Sequence, residues 1–389
     1  MRKFHHYIAI EPLSFHMKST RCFFIIVLIA LTKIGLAQVR EVSITYDGVH
    51  GYDSALGQVL EWSSLKEEPR VQSSDKPPEG LRLRWLGTSG FELGDNKTTI
   101  LIDPFISRPR VSNPFAPLII DTTAVDELIL KPMGDRNVDA ILVSHAHADH
   151  VMDVPLVLSR STTTDHSPLL VGDPNTVALV ESYHLSAETR FLTFDDGVVH
   201  YLIGQFGDFT VEAVRSLHPQ YNFLPWRGPE GEIEGHPPFT GFDYLSYRNI
   251  AIAYVISYRG LKFVFCDGAI LQNLQKIGEA DLLVLGIPVR ENNTIADALA
   301  ALHPSFFIPT HYDDFFVPFH EMGQFDVTIG LDKIQLLDFS RFGKFFEEFP
   351  GYIKKARSNL PAESQSFSDP RLRILKPLTY YSLESLILK

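Results

Sequence analysis

The chain has 389 residues, of which 45% are hydrophobic and 21% charged. That composition supports a sizeable core and excludes wholesale disorder. Two cysteines exclude a disulfide framework or a cysteine-rich zinc module. A formal net charge of −12 makes nucleic acid a poor partner, because an acidic chain repels phosphate backbones.

Residues 1–37 read as a secretory signal. Lys18 and Arg21 precede the apolar run Cys22 to Leu31, and the small residue Ala37 offers a cleavage point before Gln38. The run is short of the roughly 20 apolar residues that a span needs, so no stable membrane span is expected after cleavage. An uncleaved anchor is the competing reading. Cleavage removes five basic residues (Arg2, Lys3, Lys18, Arg21, Lys33) and one acid (Glu11), which moves the net charge from −12 to −16. Only Cys266 then remains, which suits an exported protein, periplasmic or secreted, without disulfides.

Residues 38–80 read as an N-terminal extension and 81–340 as the main domain. Strands are expected at Arg82 to Leu86, Thr98 to Ile102, Val138 to Val143, Phe209 to Leu217, Ile250 to Ser257, Leu261 to Phe265, Leu282 to Leu285 and Phe306 to Pro309. A helix is expected to start near Asp149, and another to cover Thr294 to Leu302. Paired strands followed by strands alternating with helices predict an α/β protein with helix-covered sheets. Residues 341–389 read as an amphipathic helix, carrying Phe342, Phe345, Phe346, Phe349 and Ile353, and a tail.

The strongest chemical signal is Ser144-His145-Ala146-His147-Ala148-Asp149-His150, directly after the buried strand at 138–143. His145 and His147 lie two apart in extended chain, so their rings face one side. Asp149 and His150 fall where the chain turns into a helix, which Asp149 could cap. Four imidazole and carboxylate donors this close suit one or two borderline metals. His218, Asp267 and His311 each end a predicted strand, where α/β proteins build their sites. Taken singly, each is a weak signal, and a lone histidine after a strand reads more readily as a structural residue.

These motifs resemble the metallo-β-lactamase-fold hydrolases. The HxHxDH pattern is matched in full by His145, His147, Asp149 and His150, and the order of later ligands by His218, Asp267 and His311. The segments Trp85-Leu86-Gly87-Thr88-Ser89-Gly90-Phe91 and Ile100-Leu101-Ile102-Asp103-Pro104 also look like this family. Within it they look like the branch that holds ascorbate-lactonase-like proteins and the phospholipase D acting on N-acyl phosphatidylethanolamines.

The resemblance implies a four-layer αββα sandwich over roughly residues 81–340. It implies two divalent metal ions, zinc foremost with iron or manganese as alternatives. His145, His147 and His218 would hold the first, and Asp149, His150 and His311 the second. Asp267 would bridge them, and Asp103 would steady the histidine-rich loop. Asp149 and Asp267 are the expected catalytic carboxylates. A water shared by two metals would be activated to hydroxide and attack a phosphodiester, lipid phosphodiesters included, or a lactone. The alternative is a non-catalytic metal- or ligand-binding protein on the same scaffold. A β-lactam substrate fits less well, because Asp267 stands where the common β-lactamase groups use Cys or leave the metals unbridged by protein.

His303, His236, Tyr221 and Tyr312 are candidates for the leaving-group acid. Residues 219–247, rich in Tyr, Phe and Trp, suggest either a lip over the site for a small-molecule or lipid substrate, or a packed surface insertion.

Overall fold

A computed structural model describes residues 76–387 with interruptions, and the backbone alone of 40–45, 48–51, 73–74 and 326–329. Residues 1–39, 46–47, 52–72, 219–235, 268–272, 288–293, 314–325, 330–341, 361–367 and several shorter stretches lie outside the described set. The signal reading and most of the 38–80 extension therefore fall there.

In chain order the strands are β1 (Arg40–Thr45), β2 (Gly48–Gly51), β3 (Ser73–Ser74), β4 (Arg82–Gly87), β5 (Gly90–Gly94), β6 (Thr99–Ile102), β7 (Ala140–Leu142), β8 (Leu169–Gly172) and β9 (Arg190–Thr193). They continue with β10 (His200–Phe206), β11 (Phe209–Ser216), β12 (Ala251–Tyr258), β13 (Leu261–Cys266), β14 (Leu282–Gly286), β15 (Phe306–Thr310), β16 (Asp326–Ile329), β17 (Arg371–Leu372) and β18 (Tyr380–Ser382).

One sheet has eight strands in the order β3-β18-β4-β5-β6-β7-β8-β9, and the other has seven in the order β10-β11-β12-β13-β14-β15-β17. Each is antiparallel at one end and parallel at the other. The parallel pairs are β6 to β9 in the first sheet and β13, β14, β15 and β17 in the second. Parallel neighbours need crossovers, and helices supply them. α1 (Ala148–Val151) and α2 (Val154–Ser161) join β7 to β8, α3 (Pro174–Glu181) joins β8 to β9, and α4 (Thr294–Leu302) joins β14 to β15. A separate backbone ladder pairs β1 with β16 and β2.

Two apolar cores follow from the alternation of side chains along each strand. Ile100 and Ile102 on β6, with Ala140 and Leu142 on β7, face the inter-sheet core. Leu101 and Ile141, between them, face the outer core under α2, α3 and the helical segment Val125–Leu130. On the far side α4 and α5 (Phe342–Asn359) cover the seven-stranded sheet. Phe345, Phe349, Ile353 and Ala356 on α5 are buried at the spacing of one helix face, with the Phe349 ring 5.3 Å from that of Phe307. The layers thus run helix, sheet, sheet, helix, and the expected αββα sandwich is the observed architecture.

Most expected strands are found within a residue at either end, and Thr294–Leu302 is a helix as read. The run 138–143 contracts to the three residues of β7. Its flanks remain hydrogen-bonded, Asp139 N–H to Thr99 O at 2.8 Å and Val143 N–H to Val171 O at 2.9 Å. Asp149 does not cap the helix: α1 begins after His147, which makes no side-chain cap, and Asp149 sits inside its first turn. The tail contributes β17 beside β15 and β18 beside β4, one strand to each sheet.

Candidate metal centre

The carboxyl ends of several strands from both sheets open onto one rim. There β6 leads into Asp103, β7 into His145, β11 into His218, β13 into Asp267 and β15 into His311. Hydrogen bonds join the sheets at this rim. Ile252 N–H donates to Ser144 O at 2.9 Å, and Tyr254 O–H, from β12, donates to Val143 O at 2.7 Å. The β4–β5 turn lies alongside. Gly87 has a φ of +92°, which favours glycine, and a Cβ on Gly90 would lie 3.0 Å from Asp103 O, so the motif Trp85 to Phe91 has a local steric reason.

Six of the seven expected ligands gather into two triads, His145–His147–His218 and Asp149–His150–His311. Within each, one donor atom per residue lies within 4.8 Å of the others. In the first triad His145 Nε2 is 3.1 Å from His147 Nδ1, and the His218 ring centroid is 4.7 and 4.6 Å from those of His145 and His147. In the second, Asp149 Oδ2 is 3.4 Å from His150 Nε2 and 3.1 Å from His311 Nε2. The ring centroids of His145 and His150 are 3.9 Å apart, so the triads are adjacent.

Asp267 stands beside the triads rather than within either. Its Oδ2 accepts from Thr310 O–H at 2.7 Å, and its Oδ1 lies 3.1 Å from His311 Nδ1. It therefore orients the His311 ring from behind. Asp103 does the same for His150, with Oδ2 2.9 Å from Nδ1, and its Oδ1 accepts the Ser144 N–H at 2.7 Å. Ser144 Oγ completes the support, 3.1 Å from His145 Nδ1 and 3.0 Å from His150 Nδ1.

Electrostatics separate the triads. Burial, followed by the surrounding imidazoles, holds His145 and His147 well below the usual histidine range, so both are neutral with lone pairs available to a cation. Burial opposes charge on Asp149, yet His150 and His311 hold its carboxyl well below the usual range. The same contacts lift the other partners against burial. Asp149 and Asp103 hold His150 well above its usual value, and Asp267 and Asp149 raise His311 to about 9. In the metal-free chain the second triad is thus an ion-pair cluster whose protons a cation would displace.

A donor set of imidazoles with a carboxylate is zinc-type chemistry, and the convergence of the donors fits it. Other residues that the sequence left unassigned also converge on the site. Arg108 and Asp313 form an ion pair with both side chains fully buried. Asp153 accepts the backbone N–H of Ile106 and Ser107 at 2.6 and 2.8 Å. No local motif marks them, although Asp313 follows His311 by two.

The described histidines outside the ligand set have other surroundings. His166 meets Val138 O at 2.7 Å, His200 meets Glu212 at 2.5 Å, and His303 meets Glu279 at 3.5 Å. His303, an expected candidate acid, precedes β15 while His311 follows it, so the two lie at opposite ends of that strand. His236 is exposed, its ring centroid 6.3 Å from that of His184. Tyr221 and Tyr312 fall outside the described residues. Of the aromatic 219–247 segment, Phe239 and Tyr244 are buried in the outer core, so for these two the packing alternative holds.

The family described as the beta-lactamase superfamily domain matches residues 82–311, from the first residue of β4 to the last residue of the second triad. A metal-dependent hydrolase of Polynucleobacter asymbioticus is 28% identical over 269 residues, 66% of this chain and 84% of that one. Another, of Staphylococcus aureus, is 24% identical over 273 residues, 66% of this chain and 96% of that one. Two solved structures are also similar. The metallo hydrolase Igni18 of Ignicoccus hospitalis has a TM-score of 0.42 at 15% identity, covering 76% of this chain and 95% of that one. The metallo-beta-lactamase fold protein YhfI of Bacillus subtilis has a TM-score of 0.40 at 13% identity, covering 77% and 98%. With more than half of the chain matched by that family, and the metal-type donors gathered within the matched span, the chain belongs to the metallo-β-lactamase superfamily as a metal-dependent hydrolase.

Proposed function

We propose that the chain is an exported, dinuclear hydrolase of a phosphodiester, lipid phosphodiesters included, or of a lactone. The observation that carries the reading is the pair of adjacent triads on one rim, each able to surround one cation. Two divalent ions bound there, zinc foremost with iron or manganese as alternatives, would supply Lewis-acid activation of water and of the scissile group.

The chain's own residues do the rest. His145, His147 and His218 hold one ion, and Asp149, His150 and His311 the other. Asp103 fixes the His150 ring and Asp267 the His311 ring, so each ligand presents its other nitrogen to the site. Asp149, held ionised, is placed to accept a hydrogen bond from the attacking water. Asp267 is the proposed bridging carboxylate. Its place directly after β13, at the same strand ends as the triads, supports that role.

Exposed apolar side chains support an apolar portion of the substrate. Phe115, Ile119 and Leu217 are exposed at 50%, 64% and 46%. Leu217 adjoins His218, and the Phe115 ring packs 5.3 Å from that of Phe242. The chain segment carrying Phe115 is tied to that carrying Phe242 by Leu118 N–H donating to Phe239 O at 2.8 Å. Among the described residues no helix is long and apolar enough to cross a membrane.

The test is metal content per chain together with a chelator-controlled screen of phosphodiesters, lactones and β-lactams. Close to two metals per chain and metal-dependent cleavage of a phosphodiester or lactone are expected. Two metals without turnover would favour the binding-only alternative. Export is tested separately: the mature chain should begin near Gln38, and recovery of an intact N-terminus would sink that part.

A further inference from the structure

The loop after β6 meets the surroundings of the second triad three times. Asp103 holds His150, and the Ile106 and Ser107 N–H groups hold Asp153, two residues beyond α1. Arg108 pairs with Asp313, two residues beyond His311. Asp313 also accepts the Thr88 N–H, at 3.0 Å from each carboxylate oxygen. Thr88 O in turn accepts the His311 N–H at 3.1 Å, and Thr88 Oγ1 lies 3.5 Å from Arg108 Nη2. The His311 segment is therefore clasped to the β4–β5 turn by two bonds of opposite direction, with Arg108 behind them. The same turn reaches α1, through Ser89 O–H donating to Asp149 O at 3.2 Å.

Backbone conformation at the clasp is costly. Thr88, Arg108 and His311 have φ of 50°, 43° and 61°, a left-handed region that non-glycine residues keep only where their surroundings over-determine it. A buried ion pair is itself weak evidence for stability, since apolar residues of similar volume often do as well. What the pair supplies here is geometry: it fixes Asp313, hence Thr88, hence the backbone of His311.

We propose that Arg108 and Asp313 are positioning residues that hold His311 in its ligating pose, and so set the metal affinity of the Asp149–His150–His311 triad separately from that of His145–His147–His218. This rests on the two-metal reading above.

The test uses zinc alone on the full chain. Both dissociation constants are measured by chelator competition in wild type, Asp313→Asn and the paired variant Arg108→Met/Asp313→Leu. The paired variant strands no lone buried charge, so it keeps the test open if the single one fails to fold, as circular dichroism would report. His311→Ala identifies which constant belongs to the second triad. That constant should rise about 10–100-fold in the clasp variants, the cost typical of losing an outer partner of a metal ligand. The other should not move. Both rising together would mark general loosening, and neither moving would remove the role; either result overturns the proposal. A wild-type chain that takes only one zinc overturns the two-metal reading itself, and this inference with it.

Discussion

The eight-stranded sheet delivers His145, His147, Asp149 and His150 from one short segment, the turn after β7 and the first residues of α1. The seven-stranded sheet delivers His218, Asp267 and His311 singly, each from the end of a different strand. Local geometry fixes the first group, whereas the second depends on strand register and on contacts from other elements, as at His311. Yet each triad needs one histidine from the seven-stranded sheet, His218 in one and His311 in the other. Neither sheet can complete a triad alone, so a metal held at either triad would report that the two sheets have stacked correctly.

That comparison can be broken most directly at the first triad. His147→Ala should abolish turnover and leave the circular dichroism spectrum unchanged, a loss larger than the roughly 10–100-fold typical of an outer partner. His218→Ala, from the opposite sheet, should do the same. Because both residues serve one triad, the double variant should lose no more bound metal per chain than either single variant. Additive losses would mean that the two histidines serve separate sites.

A smaller effect is expected at the support. Asp103→Asn keeps an acceptor for Ser144 N–H but weakens the hold on His150, so metal affinity should fall about 10–100-fold with the fold intact. Unchanged affinity in equilibrium dialysis would remove its orienting role.

The smallest effect is on stability against pH, at the end of β8. Burial raises Asp173 from its usual 3.8 to about 6, although the Thr176 N–H donates to it at the start of α3. The folded chain therefore keeps that proton over a range where the unfolded chain has lost it. The stability this contributes is complete below about pH 4 and lost as pH rises through about 6. Asp173→Asn keeps a capping oxygen and removes the titration. Relative to that variant, the melting temperature of the wild-type chain should fall by a few degrees between pH 5 and pH 7. A constant difference would refute the assignment.

The same contrast explains what could be read from the chain alone. His145 to His150 form a contiguous pattern after an apolar run, so both motif and strand were legible. His218, Asp267 and His311 were legible only as donors at strand ends, joined into a set by family likeness. Arg108 and Asp313 were not legible, because their partnership spans 205 positions and neither sits in a recognisable motif. Strands β8 and β10 were not read either. Leu169–Gly172 is too short to show alternation, and the pattern of exposure along the edge strand β10 is irregular where its register shifts between Leu202 and Gly204. Asp267 is the residue for which likeness and geometry point to different first tasks, bridging in one and orienting His311 in the other.

The placement of β18 bears on how the chain is made. Tyr380 pairs with Arg84 on one side and Ser74 on the other, so a strand from the end of the chain is threaded between two from its beginning. During synthesis β4 must wait, one edge unpaired, until nearly three hundred further residues have emerged. Contacts that distant in sequence close slowly. The eight-stranded sheet therefore cannot be finished until β18 has been made, and until then the waiting edge of β4 stays open to chaperones.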